Sequence, residues 1–384
     1  MPAFALSRRQ FGRNIGGTLA LAVAGPKLAA LCSPAAVTRK RATRPDNAIR
    51  LDSNENPYGP CPQAFEAINQ SGRIAARYPD DAAESLKKAI AKMHGVEPEN
   101  VALGCGSTEI LRASDQAFLG PTKNAVAAEP TYETVLSYAH ALDADTVKIP
   151  LTADYRHDLT RMAAACTSHT GVVYVCNPNN PTGTTVTKEE LGTFCQRVPA
   201  TTTILIDEAY FHFIDGQSNG SAIGWFGRYP NVMVVRTFSK VYGLAGMRLG
   251  YAIGTRNAIQ VLSEYLTYAN ANAAVVAAAL ASLGDSNHIA ECRERILETR
   301  QWLCDQLAKE GRRTLPSEAN FVMIDLDGDV QPVIEKFQAR NIFVGRKFPS
   351  MGTWLRVTIG TRPEMETFLA AFREIAPARA AQAA

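Results

Sequence analysis

Short runs rich in valine and isoleucine recur between helical patterns, and this alternation constrains the fold more than any other feature. The runs are 101–104, 125–128, 147–150, 172–176, 204–207, 232–237 and 249–253. Most are apolar throughout rather than alternating, as strands buried on both faces must be. Turn residues bound them. Amphipathic helical patterns over 81–94, 108–119 and 132–142 separate several of them. Such a βαβ succession closes as a mostly parallel, doubly wound sheet with helices on both faces. The expected fold class is therefore α/β.

Beyond residue 256 the texture changes. Helical stretches run to about 311, then strand-like and helical segments mix over 320–326, 330–339, 342–345, 354–359 and 363–375. This predicts a smaller α+β domain beside a large one. The expected organisation is an N-terminal arm with part of the small domain over 37–77, a large domain over 78–275, a small C-terminal domain over 276–376 and a tail over 377–384.

The first 36 residues read differently. They hold Arg8, Arg9, Arg13 and Lys27 and no acid, so they carry +4 of a chain whose net charge is +3. An apolar run follows over 15–25, and Ser33-Pro34-Ala35 offers a cleavage site. Charged start, apolar stretch and small residues, in that order, describe a secretory signal. The adjacent arginines resemble the twin-arginine type, which carries folded, cofactor-loaded cargo. The expectation is export, with a periplasmic destination; a basic tail on a cytoplasmic protein is the alternative. The run is too short to span a bilayer, so no membrane span is expected. The remaining chain is near neutral, which gives no reason to expect nucleic acid as a partner. Eight cysteines without a C-x-x-C pair, and six scattered histidines, support neither a disulfide framework nor a metal site.

Chemistry gathers at three strand ends. The run ending at Cys176 continues Asn177-Pro178-Asn179-Asn180-Pro181-Thr182-Gly183. The run ending at Ile206 continues Asp207-Glu208-Ala209-Tyr210. The run ending at Arg236 continues Thr237-Phe238-Ser239-Lys240, with Arg248 eight residues on. In a doubly wound sheet ligands sit outside the carboxyl ends of the strands.

With these motifs the chain resembles the fold type I pyridoxal-phosphate (PLP) enzymes, and among them the histidinol-phosphate aminotransferase group. The likeness runs from about residue 50 to 376 and includes Asn54-Glu55-Asn56-Pro57-Tyr58-Gly59, Arg77-Tyr78-Pro79, Gly106-Ser107-Thr108-Glu109, Pro130-Thr131-Tyr132 and Leu355-Arg356-Val357-Thr358-Ile359-Gly360-Thr361. The resemblance implies PLP as cofactor and a Schiff base on Lys240, whose amine then shuttles a proton as general acid/base. Asp207 would keep the pyridine nitrogen protonated. Asn180 and Tyr210 would stabilise the phenolic oxygen, and Tyr132 would stack on the ring. Ser107 and Thr108, at a helix start, would bind phosphate with Ser239 and Arg248. Tyr78 would reach that phosphate from a second subunit, which implies a homodimer. Arg356 would clamp the substrate carboxylate beside Asn320, and Tyr58 and Arg346 are positions for a substrate phosphate.

The pattern loosens after Arg346, in Lys347-Phe348-Pro349. Thr108 stands where the family often has Asp, and His212 where an acid is frequent. These departures touch substrate choice. The expected function is therefore transfer of an amino group from histidinol phosphate or a related amino acid to a 2-oxo acid such as 2-oxoglutarate. A PLP-dependent decarboxylase or lyase on the same scaffold is the alternative, and a non-catalytic PLP-binding module a third.

Overall fold

The computed structural model describes residues 44–215 and 220–376. Residues 1–36, where a signal is expected, and 377–384 lie outside the described residues. The compact body begins at Asn47.

Seven strands form the central sheet: β2 (Val101–Gly104), β3 (Asn124–Glu129), β4 (Thr146–Pro150), β5 (Thr170–Cys176), β6 (Thr203–Asp207), β7 (Val232–Thr237) and β8 (Gly250–Ile253). Their order is β2-β8-β7-β6-β5-β3-β4. Pairings among β7, β6, β5, β3 and β4 are parallel. β8 runs antiparallel to both its neighbours. The expected mostly parallel sheet is what forms, and β5 and β7 are buried along their whole length. Burial on both faces is why they read as unbroken apolar runs.

Helices cover the sheet. Those between its strands are α3 (Ser107–Phe118), α4 (Thr134–Ala141), α5 (Leu159–Ala165) and α6 (Lys188–Arg197). They follow α1 (Pro62–Gln70) and α2 (Asp80–His94), and α7 (Arg256–Ser263) comes after the sheet. Local signals set their ends. Thr187 and Glu190 form a reciprocal capping box at α6. Gly95, with φ 65°, closes α2 in the left-handed conformation. One expectation needs correction: α4 begins at Thr134, not at residue 132. Tyr132 and Glu133 belong to the turn before it, so their side chains are not committed to a helix face.

The C-terminal part holds α8 (Ala273–Leu283), the 24-residue α9 (Ser286–Lys309), α10 (Gln331–Gln338) and α11 (Arg362–Ile375). β9 (Phe321–Asp325) and β11 (Trp354–Thr358) pair antiparallel. β1 (Ile49–Leu51) pairs in parallel with β10 (Ile342–Val344), joining the two ends of the body. A continuous apolar cluster, including Phe238, Tyr251, Phe321, Leu355 and Phe368, runs from the large sheet into this region. Among the described residues, no helix is long and apolar enough to cross a membrane.

Candidate active site

The ends of β5, β6 and β7 lie side by side. Cys176 pairs with Asp207, and Asp207 with Val235. The chain leaving each strand therefore delivers Asn180, Asp207 with Tyr210, and Ser239 with Lys240 to one cleft. β1 and β11 close it from the other side with Asp52, Asn54 and Arg356.

Asp207 is buried, and its oxygens accept from the Tyr174 hydroxyl at 2.9 Å and the Ala209 amide at 3.0 Å. Both donors are neutral. Burial pushes its carboxyl up to about 6, against the pull of those two bonds and of the Lys240 charge. A buried carboxylate held only by neutral donors is suited to a cationic ligand.

Lys240 donates to the backbone carbonyls of Asn54 (2.9 Å) and Ser53 (3.2 Å), and its Nζ lies 5.5 Å from the Tyr210 ring centre. Burial, then the Arg356 charge, lowers its ammonium to about 8. Its amine is thus poised to lose a proton near neutral pH.

The Tyr210 hydroxyl accepts from Asn54 Nδ2 at 3.0 Å and from Asn180 Nδ2 at 3.3 Å. With two donors aimed at its oxygen, its own proton is left for a further acceptor. Asn180 Oδ1 in turn accepts from Arg356 at 2.7 Å, and Arg356 also donates to the Asp52 carbonyl at 2.8 Å. The Nε of this buried guanidinium has no hydrogen-bond partner, and neither has Oδ1 of Asn320. Asn320 donates to the carbonyls of Asn54 and Glu55.

A second group lies at the start of α3. Ser107 and Thr108 are its first two residues, after Gly106 with φ 75°. The Gly106 backbone, with φ 75°, favours glycine, and a Cβ there would meet the Arg248 guanidinium at 2.2 Å. The Arg248 side chain donates to Ser239 Oγ at 3.5 Å. Hydroxyls, a guanidinium and free helix amides converge as a phosphate cradle should.

The remaining expected residues lie elsewhere or further out. Tyr132 is half-buried against the apolar cluster over the sheet. Arg346 pairs with Glu133 at 2.6 Å and lies over the Phe348 ring. Tyr58 sits under the Arg295 guanidinium, beside Thr299, and burial raises its hydroxyl. Tyr78 is 78% exposed and meets Tyr268 with ring centres 6.5 Å apart. His212 packs edge-on to Tyr242, where burial lowers its imidazole to about 3, so it acts as packing.

The motifs assign no role to Asn54 and Tyr174 in the cleft, or to Glu133 beside Arg346. Asn54, with φ 54°, ties Thr358, Tyr210, Lys240 and Asn320 together. Its signal in the sequence is its place at the start of the Asn54-Glu55-Asn56-Pro57-Tyr58-Gly59 motif, and the left-handed backbone is one that Asn tolerates. Tyr174 looks like core until its hydroxyl is seen to reach Asp207. Glu133 reaches Arg346 across 213 positions.

The observed groups fit PLP: an amine, a buried carboxylate without a cation partner, unsatisfied donors and acceptors, and a glycine-lined anion cradle. The family model for aminotransferase class I and II matches residues 46–372. The histidinol-phosphate aminotransferase of Moorella thermoacetica is 38% identical over 333 residues, covering 86% of each chain. The aromatic amino acid aminotransferase of Rhodococcus erythropolis is 38% identical over 323 residues, covering 84% of this chain and 89% of its own. Among solved structures, histidinol-phosphate aminotransferase from Sinorhizobium meliloti in complex with pyridoxal-5'-phosphate superposes with a TM-score of 0.81 at 30% identity, covering 85% of this chain and 90% of that one. The chain belongs to the aminotransferase class I and II family, as a PLP-dependent transaminase of fold type I.

Proposed function

We propose that the amino donor is histidinol phosphate or a related amino acid, and the acceptor a 2-oxo acid such as 2-oxoglutarate. Arg356 carries this reading. It is a buried guanidinium with an unpartnered Nε, bonded to Asn180 in the pocket that holds Lys240. An anion on the substrate supplies what the guanidinium lacks.

Bound PLP supplies an aldehyde that condenses with primary amines and a ring that withdraws electrons. The chain supplies the rest. Lys240, lowered to about 8, takes and returns a proton at Nζ. Asp207 would hold positive charge at the ring nitrogen, and the Tyr174 hydroxyl favours its ionised form. Asn180 and the Tyr210 hydroxyl would supply donors to the phenolic oxygen. Ser107, Thr108, Ser239 and Arg248 would hold the phosphate end, and Arg356 with Asn320 would orient the substrate.

A donor panel with 2-oxoglutarate tests this: histidinol phosphate, arginine and the aromatic amino acids, read as glutamate formed. Carbon dioxide without glutamate would move the chain to the decarboxylase alternative, which the similarity to known transaminases does not favour.

The active unit is proposed to be a homodimer in which Tyr78 crosses to the partner's phosphate. Exposed Tyr78, Tyr268 (81%) and Phe65 (58%) support this, and a monomeric holoenzyme in size-exclusion chromatography would refute it. Export by the twin-arginine-type leader is likewise proposed from residues 1–36. Fractionation tests it, and confinement of the full-length chain to the cytosol would refute it.

A further inference from the structure

We infer that Glu133 sets the anion preference of the donor site, favouring amines with a single α-carboxylate over amines with a phosphate monoester. The inference rests on the proposed donor class and refines it.

Two guanidiniums gather at one ring. The Arg346 carbon lies 4.4 Å from the Phe348 ring centre and the Arg356 carbon 5.3 Å from it. Gly345 makes this possible. Its amide donates to the Arg356 carbonyl at 2.8 Å, and a Cβ there would stand 2.7 Å from that oxygen. The segment carrying Arg346 can therefore lie against the strand carrying Arg356. The two cations feel one another, since Arg346 helps to lower the Arg356 guanidinium.

Such a pair suits a phosphate monoester, which carries nearly two negative charges at neutral pH and three acceptor oxygens. A carboxylate needs one guanidinium. Here the second is already occupied. Glu133 enters from the turn before α4, next to Tyr132, and places Oε2 2.6 Å from Arg346. Both side chains are about half exposed, so the pair stabilises the fold only slightly. Its electrostatic effect on an incoming anion is the larger consequence.

The other charged groups do not reverse this. Lys347 is paired with Asp329 at 2.8 Å. Burial lowers the Arg356 guanidinium, and nearby Asp52 offsets a small part of this while subtracting further positive potential. Removing the Glu133 charge raises the local sum by one, and that unit favours a phosphate dianion over a carboxylate monoanion.

The test is Glu133→Gln, which keeps shape and removes charge at an exposed position. The quantity read is the ratio of kcat/KM for histidinol phosphate to that for phenylalanine, with 2-oxoglutarate as acceptor. One unit charge acting over a separation on the order of 6 Å at high dielectric shifts this ratio by roughly threefold to tenfold. The expected result is a rise of that size, absent in Glu133→Asp, which keeps the charge. An unchanged ratio, or an equal rise in Glu133→Asp, would overturn the inference. Calorimetric titration of inorganic phosphate into the two holoenzymes reads the same charge without any donor. Tighter binding to the Gln variant supports the inference, and equal binding refutes it. Failure of both donors to turn over in the wild type would count against the donor reading alone.

Discussion

Asp115 lies on α3, two turns beyond the phosphate-cradle residues Ser107 and Thr108, in surroundings that oppose its charge. Its side chain is fully buried, and neither carboxylate oxygen has a hydrogen-bond partner. Burial alone pushes its carboxyl up from 3.8 to about 8. The folded protein therefore binds this proton more tightly than the unfolded chain does. The associated stability is fully present below pH 4 and is lost progressively as pH rises toward 8. At about 1.4 kcal/mol per pH unit, the loss between pH 5 and pH 7.5 is about 3 kcal/mol. For a body of this size that is about 4 °C in Tm. Asp115→Asn keeps the shape and removes the ionisation. Scanning calorimetry of holoenzyme and variant at the two pH values isolates this contribution, because other groups titrate equally in both. The variant should gain about 4 °C on the wild type in going from pH 5 to pH 7.5. A difference in Tm that is the same at both pH values would refute the reasoning.

The cleft itself sets three further outcomes. Lys240→Ala should abolish turnover and the bound-cofactor absorbance while circular dichroism stays native; retained turnover would contradict the assignment. Arg356→Gln removes a charge-assisted pair and should lower kcat/KM about 100-fold, mainly through KM for carboxylate substrates; an effect on kcat alone would place Arg356 outside substrate binding. Tyr174→Phe deletes a hydroxyl that lowers the Asp207 carboxyl, so the carboxyl should rise above about 6. Protonation then intrudes at higher pH, and the acidic limb of the kcat/KM profile should move upward; a downward shift would refute that role.

How much of the fold and the cleft is legible in the sequence depends on the range of the interaction. β5 and β7 stand out because burial on both faces demands unbroken apolar runs, and the chemistry at their ends is read directly from the residues that leave the strands. Lys240, Asp207, Asn180 and Arg356 can thus be gathered from local motifs alone. Tyr174 cannot, since within β5 an aromatic that fills the core and one that steers a carboxylate look alike. The helical pattern starts α4 two residues early because Tyr132 and Glu133 fit its periodicity. The turn instead leaves Glu133 free to reach Arg346. The β1–β10 pairing and the Glu133–Arg346 contact join segments that share no local pattern, so only the closed fold brings them together. The chemistry common to PLP transamination is written in local motifs at strand ends. The proposed choice of substrate anion rests on a contact between distant turns, so the sequence speaks more clearly about the reaction than about the donor.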